Sequence, residues 1–170
     1  GGRKVVLATS IAETSITIDG VRIVIDSGLQ RRPVYEAATG ITRLETRRGS
    51  RASADQRAGR AGRTEPGIAL RLWHQGQTAA LEAFTPAEIL STDLSGLLLD
   101  LAHWGVSGPG AMKFLDQPAA SAIQEARNLL VALGAFDARG AITADGNLVR
   151  DLALPPRLAA MALAASRQGH

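Results

Sequence analysis

The side chains best suited to chemistry are concentrated in Asp55-Gln56-Arg57-Ala58-Gly59-Arg60-Ala61-Gly62-Arg63-Thr64. On a helix Gln56, Arg60 and Arg63 fall at i, i+4 and i+7, which gathers one amide and two guanidinium groups on one face. A guanidinium is a planar, permanently charged fork that matches phosphate oxygens in pairs. Such a face suits a phosphate, and arginines placed there neutralise the charge that develops on a transferring phosphoryl group. Gly59 and Gly62 each weaken a helix by about 1 kcal/mol relative to alanine. The compensation expected is close approach of another backbone or of a ligand. A merely solvated charged face has no use for these glycines. Ser50-Arg51-Ala52-Ser53, just upstream, supplies a serine to cap the helix.

A second candidate is Ala8-Thr9-Ser10-Ile11-Ala12-Glu13-Thr14-Ser15-Ile16-Thr17-Ile18-Asp19-Gly20, directly after the apolar run Val5-Val6-Leu7. Hydroxyls beside backbone amides in a strand-to-loop turn are placed to meet phosphate oxygens. Taken alone the stretch is an ordinary polar loop, and Asp19-Gly20 an ordinary turn. Charge supports a polyanionic partner: residues 1 to 71 carry 13 Lys and Arg against 7 Asp and Glu, whereas residues 72 to 170 carry 6 against 9. A solvated basic surface remains the plainer reading of that imbalance.

The elements that must hold these residues follow from periodicity. Val5 to Ala8, Val21 to Ile25 and Ile68 to Trp73 are short apolar runs rich in β-branched residues, which predicts strands. Near-continuous hydrophobicity in the first two predicts burial on both faces, as in a parallel sheet covered by helices. Between them and the third run, Pro33-Val34-Tyr35 and Ile41 to Thr46 flank Ala38-Thr39-Gly40 as a hairpin. After Phe84 the pattern turns helical. Thr85-Pro86-Ala87-Glu88 predicts a helix start with Leu94, Leu97, Leu98 and Leu101 on its core face and Gly105 as its stop. Ser121-Ala122-Ile123-Gln124 predicts a second capping box, with Ala126, Leu129, Leu130 and Leu133 facing inward and Gly134 ending the helix. Phe136 to Thr143 suits a small β-wing, and Pro155-Pro156 precedes a last helix over 157 to 167. His74 and His103 are lone histidines beside tryptophans and read as packing residues.

With 170 residues, 45% of them hydrophobic, the chain is long enough for one domain or two small ones, and without cysteines it has neither disulfides nor thiolate metal sites. No run nears the ~20 apolar residues of a membrane span. The expectation is a cytoplasmic, monomeric protein with no membrane contact.

Thr9 to Gly20 is similar to motif V, and Gln56 to Arg63 to motif VI, of the DEAH-box branch of superfamily 2 RNA helicases. The likeness continues through the Thr85 and Ser121 segments to Leu152-Ala153-Leu154-Pro155-Pro156-Arg157-Leu158. Ile25-Asp26-Ser27-Gly28-Leu29, Gly105 and Phe114-Leu115-Asp116 resemble compact bacterial members. The resemblance implies an α/β fold: a partial RecA-like lobe over 1–83, a mainly helical winged-helix domain over 84–154 and the start of a helical ratchet domain over 155–170. It implies an ATP-dependent helicase moving 3′ to 5′ on single-stranded or partly duplex RNA, with DNA as an open alternative. Gln56, Arg60 and Arg63 match residues that reach the γ-phosphate and its attacking water, and Arg57 an arginine engaged in structure. Asp19 matches a residue near the ribose. Thr9, Ser10, Ser15 and Thr17 fall where motif V bridges nucleotide and RNA, although Ser10 replaces a frequent asparagine. Arg47, Arg48 and Arg51 are the expected phosphate anchors.

The cofactor implied is ATP with Mg2+. No G-x-x-x-x-G-K-[ST] loop and no Asp-Glu-x-His run is present, so the magnesium ligands are expected on a first lobe outside this sequence, and this chain alone is expected to be inactive. A second function class is a non-catalytic nucleic-acid-binding module. The acidic balance after residue 72, with Arg127 the single arginine between Ser121 and Leu133, speaks against it.

Overall fold

A computed structural model of the chain describes residues 3–14, 18–36, 39–63 and 65–169. The chain divides into two compact units, residues 1–34 with 43–86, and residues 35–42 with 87–170.

The first unit is built on a parallel pair, β1 (Ile23–Asp26) and β4 (Ile68–Arg71), in the register Ile23 to Ile68 and Asp26 to Arg71. Ladder bonds from Ile68 N–H to the Arg22 carbonyl (2.8 Å) and from Leu72 N–H to the Asp26 carbonyl (2.8 Å) close its two ends. Helix α2 (Arg51–Gly59) packs on both strands. Ser50 caps it as the sequence predicts: its Oγ accepts the Ser53 N–H at 3.2 Å, satisfying one of the first-turn donors that a helix leaves open. Alternation along β1 turns Val24 and buried Asp26 to one side and Ile23 and Ile25 to the other. That second face is not covered: Ile25 is 65% exposed and Ile68, beside Ile23, is 57% exposed. The expected burial on both faces is therefore not met, because α2 screens one side and no described element lies on the other. Val5 to Ala8 likewise forms no strand, since a strand exists only by pairing and this run finds no ladder partner among the described residues.

β2 (Leu29–Glu36) and β3 (Ile41–Arg48) form a separate two-stranded sheet, longer than the expected hairpin. A connection this short cannot make a parallel crossover, so the pair is antiparallel. Gly40, at φ +67°, closes the turn by donating its N–H to the Glu36 carbonyl at 2.7 Å.

The second unit packs α4 (Ser95–His103), α5 (Ala120–Ala132), α6 (Ala144–Asp151) and α7 (Pro156–Arg167) around Leu94, Leu98, Leu99, Ala126, Leu130, Phe136 and Val149. The helix expected from Thr85 begins ten residues later, at Ser95. Thr85 is occupied elsewhere, its Oγ1 within 3.3 Å of Ser50 Oγ and accepting Arg32 Nη2 at 3.2 Å, while Asp93 Oδ1 accepts the Ser95 N–H at 2.9 Å. Glu88–Leu90 is only a 3-10 turn. Helix α5 buries Ala126 and Leu130 of its predicted core face, with Leu129 and Leu133 only half-buried, and stops at Gly134 as expected, but its N-cap is Ala119 with no side-chain cap bond, so the Ser121 capping box is not formed. The β-wing reduces to a single antiparallel bridge, Phe136 to Ile142. The chain turns there on Asp137, whose Oδ1 accepts the N–H groups of Arg139 and Ala141 at 2.8 and 2.9 Å, and then enters α6, which the periodicity missed. Thr143 caps α6 by accepting the Gly146 N–H at 3.0 Å. At the far end Arg167 grips Asp145 with two bonds of 2.8 and 2.6 Å. Hydrogen bonding from Arg167 holds the Asp145 carboxyl below the usual carboxylate range.

Leu130 is wholly buried at the centre of this core. Leu130→Ala is expected to cost the second unit about 2–5 kcal/mol, read as a lower urea midpoint with an unchanged slope. A loss under about 1 kcal/mol would mean that the helices collapse onto the gap.

Candidate functional site

Residues 11–14 and helix α2 meet in the first unit. Helix α2 ends at Gly59, Arg60 is its C-cap at φ −70° and ψ −30°, and Ala61 to Arg63 leave the helix in a turn. Gln56 and Arg60 keep their one-turn spacing, but Arg63 does not continue the same helical face. The predicted seven-residue face is thus broken after its second member, because the two glycines do not sustain a helix. A Cβ placed at Gly59 or Gly62 would meet nothing within 4 Å. The expected close approach of another backbone does not occur among the described residues.

The short helix α1 (Ile11–Thr14) lies against α2. Its Glu13, 8% exposed, is the link. Arg57 Nε donates to Asp26 Oδ2 at 2.9 Å and Arg57 Nη1 to Glu13 Oε2 at 3.3 Å. Arg60 Nε donates to the Glu13 carbonyl at 3.1 Å, and its Nη2 bonds the same oxygen. Asp26 completes its coordination by accepting the Gly28 N–H at 2.8 Å. Gly28 sits at φ +71° with Trp73 packed on it, so that a Cβ there would come within 2.7 Å of Trp73 Cε3. Arg57 therefore has the structural part expected for it, held by two buried carboxylates that the sequence reading overlooked. Their traces in the sequence were a lone acid among hydroxyls at Glu13 and an acid closing an apolar strand at Asp26.

Gln56 and Arg63 are exposed and make no hydrogen bond or ion pair among the described residues. Thr9, Ser10 and Asp19 are also exposed, with Ser10 giving its carbonyl to the Glu13 N–H at 2.9 Å. Ser15 and Thr17 lie outside the described residues. Arg47 and Arg48 line a cleft of about 410 Å³ together with Arg32, Gly49, Gln77 and Glu82. Arg47 is paired with Glu45 at 2.8 Å, and Arg48 reaches Gln77 Oε1 at 3.4 Å. Arg32, which the sequence reading did not single out, is held in the cleft wall by Glu82 and Thr85. Arg51 is exposed and does not line the cleft. His74 caps α3 (Gln75–Thr78), its Nδ1 accepting the Gly76 N–H at 3.2 Å, while His103 Nδ1 lies 2.9 Å from Asn147 Oδ1. Both histidines serve local structure.

A strand pair is thus backed by a helix that ends in an arginine-rich turn and is bolted to a second polar loop, an arrangement that matches part of a RecA-like lobe. Residues 1–65 match the helicase conserved C-terminal domain. The particular likeness is to the ATP-dependent RNA helicase HrpB of Escherichia coli (strain K12): 49% identity over 165 residues, covering 97% of this chain and 20% of HrpB. The crystal structure of the E. coli DExH-box NTPase HrpB superposes with a TM-score of 0.86 at 50% identity, covering 95% of this chain and 20% of that one. The ATP-dependent RNA helicase DEAH12, chloroplastic, of Arabidopsis thaliana is 41% identical over 170 residues, 98% of this chain and 10% of DEAH12. The chain thus spans about one fifth of the length of HrpB.

Proposed function

We propose that this chain carries the motif V and motif VI part of the motor of an ATP-dependent 3′-to-5′ RNA helicase. Residues 1–83 are the lobe segment, 84–154 a winged-helix domain and 155–170 the opening of a ratchet domain. The observation that carries this reading is the juxtaposition of two committed arginines with an exposed arginine and an exposed amide. Arg57 and Arg60 are anchored to the neighbouring motif, while Gln56 and Arg63 stand exposed without partners among the described residues. Gln56, Arg60 and Arg63 are assigned to the γ-phosphate and its attacking water, and Asp19 to the ribose. Thr9, Ser10, Ser15 and Thr17 are assigned to the join between nucleotide and RNA. Arg47, Arg48 and Arg51 are assigned to RNA phosphates, with ATP and RNA as the partners and the cytoplasm as the location. No helix among the described residues is long and apolar enough to cross a membrane.

Mg2+ accompanies ATP in phosphoryl transfer, where it neutralises charge on the β- and γ-oxygens. The described residues include no group of three or more His, Cys, Asp or Glu placed to hold a metal. They do not fit the ion, and no step is routed through it. What this chain supplies is positive charge on the transferring phosphoryl group, from guanidiniums oriented before the reaction.

The test is ATP turnover by the full-length protein with and without single-stranded RNA, alongside RNA affinity measured against salt. Turnover is expected to rise with RNA. Replacing Arg47, Arg48 and Arg51 with alanine is expected to weaken RNA binding and flatten its log–log salt slope by about 0.7 for each phosphate no longer neutralised. Salt-dependent RNA binding without any ATP turnover would instead make the protein a binding module.

A further inference from the structure

We propose that Glu13 is a positioning residue: through its carboxylate on Arg57, and with its carbonyl on Arg60, it ties the loop residues 9–14 to α2, so that a change in that loop is felt at the arginine turn. This deepens the helicase reading and rests on it. Glu13 is nearly shut off from solvent, at 8% exposure, so its carboxylate has no access to RNA or nucleotide and is not catalytic. Both of its ends are used inward. The carboxylate meets Arg57 Nη1 at 3.3 Å, and the carbonyl receives both the Nε (3.1 Å) and the Nη2 of Arg60. Its own N–H is taken by the Ser10 carbonyl at 2.9 Å, so the backbone around it is set by the same loop.

Two features separate this from plain structural support. Arg57 already has a shorter partner of its own in Asp26, at 2.9 Å, and Asp26 belongs to β1 rather than to the loop. Were anchoring Arg57 the whole requirement, Asp26 would meet it, and a second carboxylate would only add desolvation cost. The second carboxylate comes from the loop assigned to RNA and is carried by the residue whose carbonyl steadies Arg60. Two buried carboxylates thus share the guanidinium of Arg57, and the guanidinium of Arg60 rests on the carbonyl of one of the same residues. A shift of residues 9–14 displaces the acceptor of Arg60 directly and the anchor of Arg57, one turn earlier on α2, through the carboxylate.

The experiment uses the full-length protein and measures kcat and KM for ATP, with and without poly-uridylate, together with Tm. Glu13→Gln keeps the shape and an acceptor for Arg57 but removes the charge. The ratio of RNA-stimulated to basal kcat is expected to fall about tenfold, with KM for ATP within about twofold of wild type and Tm nearly unchanged. Asp26→Asn, which loosens Arg57 from the sheet side, is expected to lower Tm while keeping that ratio. If Glu13→Gln does not accumulate as folded protein, Glu13→Asp is read in the same way, since the shorter side chain keeps the charge but draws the carboxylate back from Arg57 Nη1 and leaves the Asp26 contact untouched. A stimulation ratio that survives Glu13→Gln, or basal and stimulated rates that fall together at constant ratio, overturns the proposal and leaves the helicase reading standing. Wild-type protein that hydrolyses ATP with no response to RNA overturns both.

Discussion

Arg63→Ala is expected to lower kcat for ATP hydrolysis in the full-length protein by roughly 10³–10⁵-fold, with KM for ATP changed by no more than a few-fold. A guanidinium aimed at a phosphoryl group in flight stabilises charge that is spread over the transferring oxygens in the transition state and is weaker there in the ground state. Its loss therefore falls on kcat. Arg63 is the residue for which this is cleanest. It lies past the end of α2, is exposed, and has no partner among the described residues, so removing it takes nothing from the fold. Tm is expected to stay at the wild-type value. Arg60 is a less clean subject because it also bonds the Glu13 carbonyl, so Arg60→Ala combines lost charge with a loosened loop. Steady-state ATPase assays with RNA present, paired with nucleotide binding measured on the same samples, give the answer. A kcat near wild type with a raised KM makes Arg63 a ground-state binding residue.

Arg57→Ala has the largest expected effect on stability, a loss of about 3–5 kcal/mol in the first unit. The substitution strands the carboxylates of Glu13 and Asp26, 8% and 6% exposed, without the one guanidinium that bridges them. Two like charges left close together in a poorly solvated site cost far more than the intact cluster gains. That asymmetry predicts the companion result: Arg57→Met combined with Glu13→Gln and Asp26→Asn is expected to recover most of the stability that Arg57→Ala removes, because no charge is left to strand. Urea denaturation of the three proteins measures this. One terminal nitrogen of Arg57, Nη2, is itself buried beside Gly49 without a partner among the described residues. The native cluster is accordingly one that a neutral replacement can rival. A triple variant no more stable than Arg57→Ala would show that packing around the guanidinium stem, rather than its charge, holds the two segments together.

Residue chemistry and local periodicity were enough to determine a good deal of this protein. The cap at Ser50 followed from one hydroxyl, and the stops at Gly105 and Gly134 from glycines that the structure holds at positive φ, +76° and +71°. The strands over Val21 to Ile25 and Ile68 to Trp73 were legible from their apolar runs, but that they pair with each other, in parallel, was not. Each of these depends on interactions within a few residues, or on a pattern that is itself local. What needed the tertiary structure was every choice between partners distant in the chain. Thr85 reads as a helix cap until Ser50 and Arg32 claim its hydroxyl, and the start of α4 moves to Ser95 as a result. Phe136 to Thr143 reads as a wing until Asp137 folds it onto itself and leaves one bridge before α6. Glu13 and Asp26, remote from Arg57 in sequence, read as a loop acid and a strand end until the fold brings them to one guanidinium. A buried charge is tolerated only with a partner, and only three-dimensional packing decides which residue that partner is.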